Sequence, residues 1–320
     1  LVLPPPLAFL SKEHALNHTG WGARPTRDGS WHRLKKDLGA WLIMLPGLAL
    51  FTFFVWLPLL SAIRMSFYKT EGMRITEFVG TYNYAFILYK DPDFWRAVQN
   101  TFMYTLWSLL IGFVVPMALA VMVHETRRGK SLFRTGLYLP NIMPALATIF
   151  LWKFLFRADG SGGVNMLFQQ LGFAPTSWLS NASLVIPVIV VIMTWKGAGA
   201  TMLIYLAGLQ SINQEIYEAA IIDGAGVWGR IKHITIPQMY NLGRTLLILQ
   251  VIAVFQILYE PMVLTGGGPN NASVSLMQLV YRHAFEYGDY SKASSISVLV
   301  SLVLIALTLV YNSISRPKEV

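Results

Sequence analysis

The sequence predicts an all-α membrane protein with six transmembrane helices and both termini on the cytoplasmic side. Three observations carry that expectation. Of 320 residues, 54% are hydrophobic and only 13% are charged, where an ordinary soluble domain carries about a quarter charged residues. Six apolar runs each reach the roughly 20 residues that a bilayer crossing needs. The loops between them alternate in charge. A soluble fold of this size would be left with large apolar patches on its surface, so a typical cytosolic enzyme is excluded. The chain has no cysteine, which rules out disulfides, thiolate metal sites and a cysteine nucleophile. A net charge of +9 reads as the basic loops that orient a polytopic protein, not as a nucleic-acid surface.

The runs follow in order. The first lies between Asp37 and Arg64 and has no charge; the second, 97–123, is also uncharged. The third, 132–156, has Arg134 and Lys153 near its ends, where long side chains can snorkel. The fourth, 184–209, is interrupted by Lys196; the fifth, 242–265, has Arg244 and Glu260 near its limits; the sixth lies between Lys292 and Arg316. One set of loops holds Arg33, Lys35, Lys36, Arg127, Arg128, Lys130, Arg230, Lys232, Arg316 and Lys318, and the other holds Glu71, Glu77, Asp91, Asp93, Asp159, Glu286 and Asp289 among fewer bases, Arg64, Lys69 and Arg74 running against the bias. Lys/Arg excess marks the cytoplasmic side. The expected organisation is a cytoplasmic tail 1–37, a transmembrane domain 38–315 and a short tail 316–320, with external segments at about 64–96 and 265–291. The opening Leu1-Val2-Leu3-Pro4-Pro5-Pro6 lacks the basic start and long apolar core of a secretory signal.

Enzymatic motifs fail. Gly129-Lys130-Ser131 could end a phosphate-binding loop, but its opening glycine would fall at His124, behind a membrane span. The histidines form no i, i+4 pair for zinc. No nucleophile–base or paired-carboxylate arrangement is readable, so the chain is expected not to be an enzyme and to hold no metal or cofactor of its own.

The informative stretch is 212–237, on the basic side. Ile212 to Ile222 has helical spacing and good helix formers. Asp223-Gly224 and Gly226 break it, glycine supplying the positive φ of a tight reversal. Val227 to Ile236 resumes with Trp228, Ile231 and Ile234 on one face, and Pro237 is expected to end it. A surface helix resting on lipid headgroups would share this pattern.

Glu218-Ala219-Ala220, Asp223-Gly224-Ala225, Ile234 and Ile236-Pro237 together resemble the EAA loop of ABC importer permeases. The resemblance extends over most of the chain after Lys36. It takes in Phe78-Val79-Gly80 with Asn83 and Tyr84, Asp91-Pro92, Asn100-Thr101, Leu206 to Ile212, and Leu264-Thr265-Gly266-Gly267-Gly268-Pro269. The similarity is to the maltose-type and glycerol-phosphate-type subfamily. Two positions depart from it: Asn213 stands where Pro is common, which is expected to loosen the start of the loop, and Ile231 where an aromatic is common.

The resemblance implies the type I importer permease fold in the inner membrane of a bacterium or archaeon. It implies a coupling helix (Glu218, Ala219, Ala220, Asp223, Gly224, Ala225, Ile234, Pro237) that docks on a separate ATPase. It also implies a second permease, two ATPase subunits carrying ATP and Mg, and an external substrate-binding protein. Cargo would be a sugar or oligosaccharide, the alternatives being a glycerol phosphate or, from another class, a secondary transporter or channel. Aromatic faces and amide or carboxyl groups grip sugars, and intramembrane polar groups default to functional candidates. The candidates are Gln256, Tyr259 and Glu260 on one face of span five, Tyr104 and Trp107 in span two, and Trp195 and Lys196 in span four. Packing between helices would use the same residue types.

Overall fold

The computed structural model describes residues 30–126 and 128–315, with side chains for 38–126 and 128–314. Most of the N-terminal tail, Arg127, Arg316 and Lys318 lie outside the described residues, as do the side chains of Arg33, Lys35 and Lys36. The chain divides after Pro58 into two units. The first contains the helix α1 (Ser30–Phe51), which runs on through a π turn at Thr52–Trp56. Its side chains from Leu38 onward are apolar and exposed, as lipid-facing residues are.

The second unit begins within α2 (Leu57–Met65). A two-stranded antiparallel hairpin follows, β1 (Tyr68–Glu71) and β2 (Arg74–Phe78), with Tyr68 opposite Phe78. It is the one β element among the described residues of an otherwise helical chain. The short α3 (Tyr82–Tyr89) leads to the second span, α4 (Phe94–Trp107) and α5 (Val114–Glu125), joined by a π turn at Ser108–Gly112.

The third span is not the continuous helix that its hydropathy suggests. α6 (Lys130–Ile142) and α7 (Ala145–Leu155) meet at 96°. Pro144 explains the corner: it has no N–H to donate, and it drives Met143 out of helical geometry to ψ 139°. A short α8 (Gly163–Gln170) then precedes α9 (Val185–Gln210), the central helix. α9 is apolar on every side, the pattern of a helix buried within a bundle. Val185, Ile189, Ile192, Met202, Tyr205 and Leu209 are fully or almost fully buried. At Gly199 the carbonyl of Leu137 on α6 approaches so closely that a β-carbon would collide with it, so this small residue sets the spacing of the two helices.

After α9 come α10 (Gln214–Ile222), α11 (Val227–Arg230), a π turn at Ile231–Thr235 and α12 (Ile236–Phe255). From Val227 to Phe255 the helix is unbroken. This corrects two expectations: the fifth span is not 242–265, and Pro237 does not end the coupling segment. Pro237 lies inside this continuous helix, immediately after the π turn, and not at a free helix start. The π turn ahead of it, with Ile236 N–H bonded to Ile231 O, makes room for its ring. The helix stops at Gln256 instead, and α13 (Tyr259–Thr265) is a separate element. α14 (Leu276–Tyr281), a π turn at Arg282–Glu286 and the last span α15 (Tyr290–Ser315) complete the fold.

Candidate functional site

The first region is the coupling segment. Asn213 caps α10: its Oδ1 accepts the Glu215 N–H at 3.1 Å, and its Nδ2 donates to Glu215 Oε2 at 3.1 Å. The residue expected to loosen this start therefore fixes it, because asparagine is among the best N-caps. At the other end Gly224 takes φ +80°. Ala225 N–H bonds to Ala220 O at 2.8 Å and Gly224 N–H to Ile221 O at 3.0 Å, the paired bonds of a Schellman cap. The turn is anchored from below. Arg230 donates through Nη1 to Ala225 O at 3.1 Å and through Nη2 to Glu125 Oε2 at 3.3 Å, tying the loop to the end of α5. The hydroxyls of Tyr217 and Thr235 lie 3.0 Å apart.

What this frame presents outward is a partly apolar surface. Ile221, Ile222, Val227 and Trp228 are exposed, as are Glu218, Ala219, Asp223 and Gly224, while Ala220 and Ala225 are half-buried. Trp228, Ile231 and Ile234 do not form the uniform face expected: Trp228 is 75% exposed and the two isoleucines are half-buried. Glu218 has no hydrogen-bond partner among the described residues.

The second region is the bundle interior, where the expected cluster in span five comes apart. Gln256 is the C-cap of α12, Leu258 turns to φ −130°, and Tyr259 and Glu260 open α13, so the three do not share one helical face. Tyr104 is fully buried, and its hydroxyl donates to Ser273 O at 3.0 Å. With Asn100, which donates to Asn271 O at 2.7 Å and Val274 O at 3.0 Å, it holds a loop in place. Trp107 packs against the apolar core around Ile189 and Val254. Trp195 meets Trp152 edge-on at 5.3 Å. Lys196 Nζ donates to Met143 O at 3.1 Å, the carbonyl freed by the Pro144 corner. Tyr259 is 57% exposed and remains open to a ligand. Gln250, whose Nε2 donates to Ser108 Oγ in the middle of the bundle, is absent from the sequence reading; a lone amide eight residues into the apolar run 242–265 gives no signal.

A third region was legible only as motif. The stretch Gly266 to Ser275 folds inward, with Gly267 and the residues 272–275 buried. A β-carbon on Gly267 (φ +90°) would run into Val274 and the Arg282 guanidinium. Arg282 donates to Gly266 O at 2.8 Å and Asn271 Oδ1 at 3.1 Å, and Asn271 donates to Asp93 Oδ1 at 2.8 Å. Beside it the buried pair His283 and Asp91 places Nε2 2.7 Å from Oδ2, the ring N–H donating to the carboxylate. Burial pushes the Asp91 carboxyl up, but the His283 hydrogen bond and charge and the Asp93 N–H outweigh it, and the group stays below its ordinary value. Among the described residues no cluster of three or more metal-ligating side chains occurs.

Apolar crossings around one central helix, with a capped helix–turn–helix fixed to one rim, define a multi-pass membrane transport subunit. A family model described as binding-protein-dependent transport system inner membrane component matches residues 112–316. The chain belongs to that family, and is the permease subunit of an ABC importer. It is 31% identical to the lactose transport system permease protein LacF of Rhizobium radiobacter over 88% of this chain and 96% of that one. It is 31% identical to the trehalose/maltose transport system permease protein MalF of Thermococcus litoralis, over 86% and 93%. A solved bacterial ABC transporter involved in the import of the acidic polysaccharide alginate superposes with a TM-score of 0.80 at 25% identity, covering 91% of this chain and 99% of that one. Family members are transport subunits, not catalysts.

Proposed function

We propose that this chain carries a sugar or oligosaccharide across the inner membrane by alternating access, driven by a separate ATPase that docks on 212–237. It works with a second permease, two ATPase subunits that hold the ATP and Mg, and an external binding protein. The basic rim faces the cytoplasm and both termini lie there. The observation that carries the coupling role is the double fixation of α10, capped by Asn213 and Gly224 and pinned through Arg230 to Glu125. A short helix held at both ends transmits a push; a frayed loop absorbs it. The carbohydrate reading draws support from the cargo printed in the relatives' names: lactose, trehalose/maltose and arabinooligosaccharides.

The test is reconstitution of the permease pair with its ATPase and binding protein in proteoliposomes. Hydrolysis should rise only when binding protein and its sugar are both supplied, and labelled sugar should accumulate inside. Uptake that persists without ATP would overturn the reading in favour of a secondary transporter.

A further inference from the structure

Beneath the coupling segment, the ends of α5, α6 and α9 enclose a cleft of about 600 Å³ lined by His124, Glu125, Lys130, Arg134, Glu218 and Arg230, among others. Its charges are unevenly used. Arg230 is paired with Glu125. Lys130 donates to His124 O at 2.9 Å and keeps two N–H groups free for another acceptor. Arg134 makes no hydrogen bond or ion pair among the described residues, and its Nε is buried without a partner. A buried donor left unmade is costly, and Lys130 and Arg134 stand at i, i+4 on one side of α6. Three cations, Lys130, Arg134 and Arg230, face two carboxylates, Glu125 and the unpartnered Glu218, so the cleft keeps a net positive charge.

A second groove of about 500 Å³ joins it, sharing Glu125 and Thr126 and otherwise lined by Leu119, Met122, Val123, Phe133 and Leu137. Both bounding helices run from polar to apolar in the same direction. α5 passes from Thr126 and Glu125 to Met122 and Leu119, and α6 from Lys130 and Arg134 to Leu137. The exposed Met122 and Phe133 leave the groove open sideways. A cationic pocket at the rim that continues into an open apolar groove has the polarity of one kind of molecule.

We propose that this paired cleft holds an anionic phospholipid, its phosphate against Lys130 and Arg134 and an acyl chain along Leu119, Met122, Phe133 and Leu137. Basic pockets between transmembrane helices near the membrane surface suit such headgroups. Because Tyr217 and Glu218 of α10 line the same cleft, the headgroup also sits against the coupling helix; that consequence rests on the function proposed above, whereas the binding itself does not.

The test uses the full-length permease, purified with its co-expressed partners, and native mass spectrometry of lipid retained after incubation with phosphatidylglycerol or phosphatidylcholine. Wild type should retain phosphatidylglycerol in preference. Replacing both cations, Lys130→Gln with Arg134→Gln, should cut that retention about tenfold or more, and Arg134→Lys should keep most of it. Leu119→Trp, which fills the groove and leaves the charges, should also lose the lipid, and inorganic phosphate should not displace it. Equal retention of the two lipids, or retention unchanged by the Gln pair, would overturn the proposal. Displacement by phosphate with Leu119→Trp unaffected would also overturn it and make the cleft a soluble-anion site. All readouts are independent of transport.

Discussion

Replacing Gly224 with valine separates the backbone requirement of the coupling turn from its packing. The residue sits at φ +80°, and a β-carbon there would meet nothing within 4 Å in this chain. The whole internal cost is therefore conformational. It is about 1–3 kcal/mol for a residue forced into the left-handed region, toward the upper end for a β-branched one. α10 has nine residues, too few to hold helix without its caps. Loss of the bonds from Ala225 to Ala220 and from Gly224 to Ile221 would release its last turn. A cost of about 2 kcal/mol lowers the population of the intact turn roughly thirtyfold relative to its frayed forms. The spans do not draw on this turn, so membrane insertion should be near normal while ATPase co-purification and sugar uptake both fall severalfold. Gly224→Asn supplies the contrast, since asparagine tolerates the left-handed region, and it should stay close to wild type. Full ATPase binding and uptake by Gly224→Val would refute the reasoning. If asparagine failed as badly as valine, the requirement would be steric, set by the partner's surface.

Four further outcomes are expected. Single cysteines can report sidedness in this cysteine-free chain, and Glu77→Cys should react with an impermeant thiol reagent in intact cells while Arg128→Cys reacts only in opened membranes. Tyr259→Ala should lower uptake while ATPase subunits still co-purify; unchanged uptake would leave the residue outside the path. His283→Leu strips Asp91 of its buried partner and should cost about 3–5 kcal/mol, seen as a lowered melting temperature of the purified complex, with Asp91→Asn milder. Because the Asp91 carboxyl is depressed in the folded protein, its stabilisation is complete above the ordinary value of 3.8 and is lost as pH falls through the folded value. Wild type should lose this contribution only in that acidic window, and Asp91→Asn should show no such loss. Gly199→Val should drive α9 into the Leu137 backbone and reduce the yield of folded permease, since overpacking of this kind costs about 1–3 kcal/mol.

The sequence disclosed what depends on composition and local chemistry. Apolar runs located the spans except the fifth, whose helix is Val227–Phe255, and Gly224 announced the turn because few other residues accept its φ. The corner at Met143–Pro144 was hidden because hydropathy averages over a window and does not register direction. The setting of Tyr104 is hidden for a related reason. A tyrosine in a span looks available until the loop at 266–275 is seen to fold inward and occupy its hydroxyl. Gln256, Tyr259 and Glu260 matched a helical face only on the assumption of an unbroken helix, and that helix ends at Gln256. The lining of the Lys130–Arg134 cleft comes from two segments far apart in the chain, 124–134 and 209–230, which no local pattern brings together.

The bond from Lys196 to Met143 O also bears on how the chain is built into the bilayer. A lysine near the centre of a spanning helix raises the cost of insertion by roughly 3 kcal/mol when it enters alone. The α6–α7 corner is synthesised before α9 and offers a carbonyl that no helix claims. In the folded chain the fourth crossing thus meets a hydrogen-bond acceptor for its ammonium on an element that precedes it in sequence. Removing Pro144 would straighten the corner, reclaim that carbonyl for the helix, and leave Lys196 to enter the membrane unaccompanied.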